Sequence, residues 1–240
     1  MLTTCWLGRV PYAEALARQE ELVARKAADP ALPDELLLLE HEPIYTIGRH
    51  PDQSSLRPRE GAGAPGGALP HPVISTNRGG HATYHGPGQL VGYPILDLRP
   101  RGQDLHRHLR GLESVLILTL RDYGLEAGRR DGLTGVWIAG RKVASIGVGV
   151  RRWISMHGFA LNVGPDLSAF AAITPCGIAG VEMTSVSREL GREITVEEVA
   201  QRVGPIFEAQ DAAALAGSAP SLPCGAGKRP RWVGDATPPG

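Results

Sequence analysis

The chain has 240 residues, with 25 basic and 25 acidic side chains, so its formal charge is zero. It lacks the basic excess that neutralises a nucleic-acid backbone, and no nucleic-acid partner is expected. Hydrophobic residues make up 42% of the sequence, which supports a full core and argues against global disorder. The opening residues MLTTCWLGRVPYAEAL hold no basic segment leading into an apolar one, so no secretory leader is expected. No apolar run approaches the length of a membrane span, so no membrane is expected either. Cys5, Cys176 and Cys224 are too sparse for a disulfide framework or a zinc ribbon. A reducing cytoplasm is the expected compartment.

Residues 3–10 read as a first strand, and residues 11–26 as a helix with Pro11 in its first turn. Tyr12, Ala15, Leu16, Leu22 and Val23 keep close to helical spacing there. Pro30 and Pro33 end the helix, and the apolar runs 35–41 (ELLLLEH) and 44–48 are of strand length. Residues 51–72 are rich in Gly, Pro and Ala and are expected to form a mobile surface loop. After a short strand at 73–75 comes the stretch 78–98, RGGHATYHGPGQLVGYPILDL, polar at first and apolar from Leu90. It reads as a glycine-rich loop mounted on a buried strand.

Residues 104–123 form the clearest helix, with Leu105, Leu109, Leu112, Leu116 and Leu120 as a core stripe. Strands are expected at 125–128, 135–139, 142–150 and 153–163, with a hairpin turn at Gly140-Arg141. A helical turn is expected at 168–172, and Thr195-x-x-Glu198 opens a final helix that Pro205 should kink or break. The chain turns Ala-, Gly- and Pro-rich from residue 212. The expected organisation is a single catalytic domain over residues 1–210 and a disordered tail over 211–240. Strands with few helices and no regular alternation point to an α+β fold, a mixed or largely antiparallel sheet with packed helices.

Chemistry concentrates in three places. In residues 78–89, Gly79, Gly80, Gly86 and Gly88 let backbone approach a ligand, while Arg78, His81, Tyr84, His85 and Gln89 can hydrogen-bond to it. A plain surface turn is the simpler reading of so glycine-rich a segment. It is not a dinucleotide fingerprint, because Val91 stands where the third glycine belongs. His81 and His85 are four apart, but flanking glycines oppose the helix that would make them metal ligands, so no metal is expected. Cys176, in the tight turn Thr174-Pro175-Cys176-Gly177, could serve as a nucleophile or be a small buried apolar residue. A nucleophilic cysteine needs a base or cationic partner, for which His85, His157 and Lys142 are available. The segment Gly135 to Lys142 is no phosphate loop, since Arg141 separates the lysine from Gly140 and Val143 stands where Ser or Thr is required.

The motifs RGGHATYHGPGQLVGYP, GRKVASIGV, HGFALNV and TPCGI, in this order, closely resemble the lipoyl(octanoyl) transferase family, as does LLLLEHEPIYTIGR upstream. The resemblance runs over about residues 7–207, and His81 departs from the glutamine more usual at its position. It implies the fold of lipoate and biotin protein ligase catalytic domains. It also implies transfer of an octanoyl group from octanoyl-acyl carrier protein to a lysine of lipoyl domains. Those domains belong to the E2 subunits of 2-oxoacid dehydrogenases and to the glycine cleavage H protein. Cys176 matches the nucleophile that carries the acyl group as a thioester, and Lys142 its dyad partner. Arg78, Gly79, Gly80, His81, Ala82, Thr83, Tyr84 and His85 match acyl-binding positions, as do Ser145, Ile146, Gly147, Gly158, Phe159 and Ala160. No cofactor is expected, and a monomer is the expected state.

The residues' own chemistry agrees with this. The donor is already a thioester, so exchange onto Cys176 is nearly neutral in energy and needs neither ATP nor metal. Lys142 could take the thiol proton in the first step and the amine proton in the second. Backbone N–H groups near Cys176-Gly177 could hold the oxyanion. The competing readings are an ATP-dependent lipoate or biotin ligase, a non-catalytic acyl-binding protein, and a thioester hydrolase.

Overall fold

The computed structural model describes residues 2–49, 69–164, 166–174 and 180–217. The chain opens with β1 (Leu2–Val10), α1 (Tyr12–Ala28) and β2 (Asp34–His41). β1 and β2 pair in parallel across the helix, one βαβ unit where the sequence suggested no such alternation. Three short strands follow, β3 (Ile44–Ile47), β4 (Val73–Ser75) and β5 (Ala82–His85). They form a small sheet of order β4-β3-β5. The glycine-rich stretch expected to be loop thus contains a strand, β5, antiparallel to β3. Most of the expected 51–72 loop lies outside the described residues.

The remaining elements are β6 (Gln89–Ile95), α2 (Leu105–Asp122), β7 (Ala127–Arg130), β8 (Leu133–Ile138), β9 (Arg141–Arg151) and β10 (Ile154–Asn162). A 3-10 helix (Leu167–Ala172), α3 (Val186–Leu190) and α4 (Val196–Leu215) complete the order. The large sheet has seven strands in the order β1-β2-β6-β10-β9-β8-β7. Every neighbour pair in it except β1/β2 is antiparallel. The α+β expectation therefore holds.

Successive side chains of a strand point to opposite faces, and β2 shows what that does here. Leu36 and Leu38 join the core under α2 and α4, while Leu37 and Leu39 join the core under α1. Both faces are covered, which is why the run LLLL carries no polar alternation. In α2, Leu112, Leu116 and Leu120 are fully buried, but Leu105 at its start is 40% exposed. Asp104 caps this helix by accepting from the Arg107 N–H.

Two boundaries differ from the sequence expectation. Pro205 neither breaks nor ends α4. It lies on the exposed face beside exposed Gln201, whose freed carbonyl can turn to water. The helix runs to Leu215, past the domain boundary expected at 210. Buried Asp211 explains the extension, because it takes two hydrogen bonds from the Arg101 guanidinium, each 2.6 Å. The short α3 was not anticipated; five residues are too few to show a period, though Ser185 caps it and Gly191 at φ +68 ends it.

Candidate active site

A cavity of about 300 Å³ lies where the small sheet meets β9 and β10 of the large one, with Tyr12 of α1 completing the wall. The residues singled out from sequence converge on it. Arg78, Gly79, Gly80, His81, Ala82, Thr83 and His85 line one side. Lys142, Ser145, Ile146, Gly147, Gly158, Phe159 and Ala160 line the other. Tyr84 is the exception among the described candidates, packing instead among Tyr45, His71 and Phe170. Cys176 lies outside the described residues.

The 78–80 loop is fastened to β9 by its backbone. Gly79 N–H donates to the Val148 carbonyl at 2.8 Å. A Cβ on Gly147 would lie 2.8 Å from the Gly79 carbonyl oxygen, so glycine is what allows the loop to lie this close. The space beside Gly147 is thus partly filled by the protein's own backbone.

Behind the loop runs a chain of buried polar groups whose proton positions follow from one another. The Arg78 guanidinium donates to the Thr46 hydroxyl from Nε and Nη2, and to the Thr46 carbonyl from Nη2 at 2.7 Å. The Gln89 amide NH₂ donates to Asn162 Oδ1 and to the Tyr84 carbonyl, which leaves Gln89 Oε1 to accept from His85 Nδ1–H at 2.8 Å. His85 Nε2 is then the acceptor for the Thr46 hydroxyl. Burial, with His41 and Arg78 adding to it, holds the His85 pKa well below the usual imidazole value, so the neutral tautomer persists. Asn162 Nδ2 continues the chain to the Thr184 carbonyl at 3.0 Å.

Thr184 brings the network to Lys142. Thr184 N–H donates to the Lys142 carbonyl, and Lys142 N–H donates to the Glu182 carbonyl. Lys142 is only 1% exposed. Its Nζ donates to the Thr134 carbonyl at 3.1 Å and stands 5.4 Å from the centre of the Trp137 ring. Gly135, at φ +132, makes room for this side chain: a Cβ there would come within 2.7 Å of Lys142 Cε and 2.6 Å of the Ala144 carbonyl oxygen. Buried Glu113 fixes Gly135 by accepting its N–H, while the same carboxylate pairs with Arg110 and Arg129.

The turn between β8 and β9 sets the pairing. Ala139 (φ +46) and Gly140 (φ +82) are its two central residues, one position earlier than expected, and both lie in the left-handed region, as in a type I′ turn. Ile138 therefore faces Arg141 and Trp137 faces Lys142, after which the register shifts. Had the turn been placed correctly in the sequence, Trp137 would have been legible as Lys142's neighbour.

Tyr12, Tyr93, Thr134, Trp137 and His157 also line the cavity without having been nominated as binding residues. Tyr12 read only as helix core. Tyr12, His41, His85 and Tyr93 form an aromatic cluster at centroid separations of 5.0 to 6.0 Å. Tyr93 OH donates to His41 Nε2 at 2.7 Å, because His41 Nδ1 is committed to the Val10 carbonyl. Burial lowers the His41 pKa to about 4. Burial, with Arg78 and Arg49 adding to it, lowers that of His157 to about 4. His157 sits at φ +56 within β10 and bonds Asn77 through Nε2.

The segments flanking residues 175–179 are described. Phe170, Ile173, Val181 and Met183 pack in one cluster with Trp137 and Tyr84, against the wall that Trp137 shares with the cavity.

A cavity lined by a glycine-rich loop and a buried lysine, at the junction of the two sheets, marks a candidate catalytic site. Comparison with known proteins agrees. The sequence profile of the lipoyl protein ligase A/B catalytic domain matches residues 11–208. A Geobacter sulfurreducens octanoyltransferase is 52% identical over 212 residues, covering 87% of this chain and 84% of the relative. One from Synechococcus elongatus is 47% identical, covering 84% and 85%. Among solved structures, lipoate-protein ligase A bound with ATP superposes with a TM-score of 0.67 at 16% identity, covering 87% of this chain and 85% of that one. Biotin protein ligase from Aquifex aeolicus gives 0.53 at 13% identity, covering 91% and 72%; at such identities the likeness is one of fold. The chain belongs to the lipoyl protein ligase A/B catalytic-domain family and, within it, to the octanoyltransferases, which are acyltransferases.

Proposed function

We propose that the chain moves an octanoyl group from octanoyl-acyl carrier protein to Cys176 as a thioester, and then to the target lysine of a lipoyl domain. The observation that supports it most is the convergence of Lys142 with the glycine-rich 78–83 stretch, Ser145–Gly147 and Gly158–Ala160 on one cavity. Relatives 52% and 50% identical are octanoyltransferases, which supports octanoyl as the group moved.

In the first step the Cys176 thiol loses its proton to Lys142 and attacks the carbonyl carbon of the donor. The tetrahedral adduct collapses, and the carrier's sulfur leaves with the proton that Lys142 held. In the second step Lys142 takes one proton from the acceptor lysine, whose neutral amine attacks the thioester. As the tetrahedral adduct collapses, the nitrogen gives its second proton to the sulfur of Cys176, which leaves as thiol, and Lys142 returns its proton to solvent. The buried position of Lys142 restricts competition from water for these transfers. The cavity's walls include Ile146, Phe159 and Ala160, apolar surface on which each buried methylene contributes about 0.8 kcal/mol.

The acceptors on this reading are lipoyl domains of 2-oxoacid dehydrogenase E2 subunits and of the glycine cleavage H protein. The protein acts as a cytoplasmic monomer, and the catalytic unit extends through α4. No helix among the described residues is long and apolar enough to cross a membrane. The reading is tested by supplying an unmodified lipoyl domain with octanoyl-acyl carrier protein in the absence of ATP. Octanoylated domain is expected from the wild type and not from Cys176→Ala. Modification only when free octanoate and ATP are supplied would mark a ligase.

A further inference from the structure

We infer that Glu113 is a positioning residue for the transfer, its carboxylate acting through the Thr134–Gly135 peptide to hold the Lys142 amine. This rests on the route proposed above, in which Lys142 carries the proton. Glu113 is a fully buried carboxylate on α2, beside Leu112 and Leu116. Replacing a buried ion pair by apolar residues is often neutral or stabilising, so stability alone does not account for this one. Arg110 Nη1 and Arg129 Nε both donate to Glu113 Oε2, each at 2.7 Å. Oε1 is turned the other way and accepts from the Gly135 N–H at 3.1 Å.

The Gly135 N–H and the Thr134 carbonyl belong to one peptide plane, and in a trans peptide they point in opposite directions. On one side the N–H meets the Glu113 carboxylate. On the other the carbonyl accepts from Lys142 Nζ at 3.1 Å. The peptide dipole therefore has its positive end on the carboxylate and its negative end on the amine. A carboxylate bonded to the N–H draws electron density onto the carbonyl oxygen and makes it a better acceptor. Strand pairing leaves this peptide available. Neither Thr134 nor Gly135 has a register partner in β7 or β9, because both registers shift beside them.

Lysine has a flexible four-carbon stem, and a base that gives and takes protons must stay in place in both forms. The ammonium and the neutral amine each have an N–H for the Thr134 oxygen. An N–H held there keeps the lone pair of the neutral amine off the protein's own carbonyl. Gly135, at φ +132, sets the orientation of the peptide and clears the path of Lys142 Cε. The acid is required because it has two oxygens. A glutamine has one: turned to the guanidiniums, it presents its NH₂ to the Gly135 N–H, and the peptide loses its anchor.

The test compares wild type, Glu113→Gln, and a chain with an ester in place of the 134–135 peptide, which removes the N–H and leaves Glu113 with its arginines. Leu116→Ala, in the same helix, supplies a loss of stability alone. Two quantities are followed: single-turnover acylation by octanoyl-acyl carrier protein against donor concentration, and the ¹⁵N resonance of Lys142 Nζ, identified by its loss in Lys142→Met. Glu113→Gln and the ester should each lower the limiting rate per folded molecule by roughly 10²-fold, with the half-saturating donor concentration unchanged. The Nζ resonance should move in both and stay in place in Leu116→Ala. If Glu113→Gln prevents folding, the ester carries the comparison. A wild-type limiting rate, or an unmoved resonance, would overturn the inference and leave the thioester route intact. Absence of any adduct in the wild type would defeat the thioester route, and the inference with it.

Discussion

The two faces of the seven-stranded sheet are built on different rules. Beneath α2 and α4 lies a continuous apolar core, from Leu36 and Leu38 through Leu116 and Leu120 to Val199, Val203 and Phe207. Charges at its margin are paired, Glu113 with Arg110 and Arg129, and Arg101 with Asp34 and Asp211. The opposite face carries α1, the small sheet and the cavity. There the buried side chains include Arg78, His41, His85, His157, Gln89 and Asn162, and Trp137 Nε1 is left without a partner among the described residues. The first face supplies stability with little chemistry. The second holds polar groups at fixed positions, at a cost that the first face offsets.

The contrast can be broken from either side. The largest effect is expected from Lys142→Met, which keeps the aliphatic stem and removes the amine. Transfer should fall roughly 10²–10⁴-fold in a steady-state assay, with the unfolding midpoint little changed. Leu116→Ala does the reverse. It should cost about 2–5 kcal/mol in urea unfolding, while turnover per folded molecule stays at the wild-type value.

Gly135→Ala should affect both faces at once. Alanine at φ +132, with a Cβ against Lys142 Cε, is expected to cost about 1–3 kcal/mol of stability and to lower acylation by displacing the amine. Unchanged kinetics in this variant would mean that the position of Lys142 matters less than its presence.

The smallest effect is one of pH. His41 and His157 have folded pKa values lowered to about 4 by burial. Between pH 6.5 and 4 the unfolded chain therefore binds protons that the folded chain refuses. Stability from these groups is present above pH 6.5 and is lost as pH falls, by up to ~1.4 kcal/mol per pH unit for each histidine. Urea titrations at pH 7 and pH 5 should show the loss, and His41→Gln should reduce it. Equal stability at both pH values would contradict neutral burial of these rings.

The sequence was most informative where one residue type has one use. The leucines of β2 and, apart from exposed Leu105, the stripe of α2 pack into the core as their spacing predicts, and the glycines at 79 and 147 and the lysine of β9 line one cavity. It was least informative where pairing over distance decides the outcome. The parallel β1/β2 pair, the docking of Asp211 on Arg101 and the face chosen by Tyr84 depend on contacts between segments far apart in the chain. Trp137 was obscured by a turn read one residue late. Tyr12 carried no signal, because a cavity-lining aromatic on a helix has the same spacing as a core one.

The most direct measurement is the intact mass of the protein after mixing with octanoyl-acyl carrier protein, without ATP. The account predicts one added octanoyl mass, removed by hydroxylamine and absent in Cys176→Ala and Lys142→Met. An adduct that persists in Cys176→Ala, or no adduct in the wild type while octanoate with ATP still modifies a lipoyl domain, would contradict it.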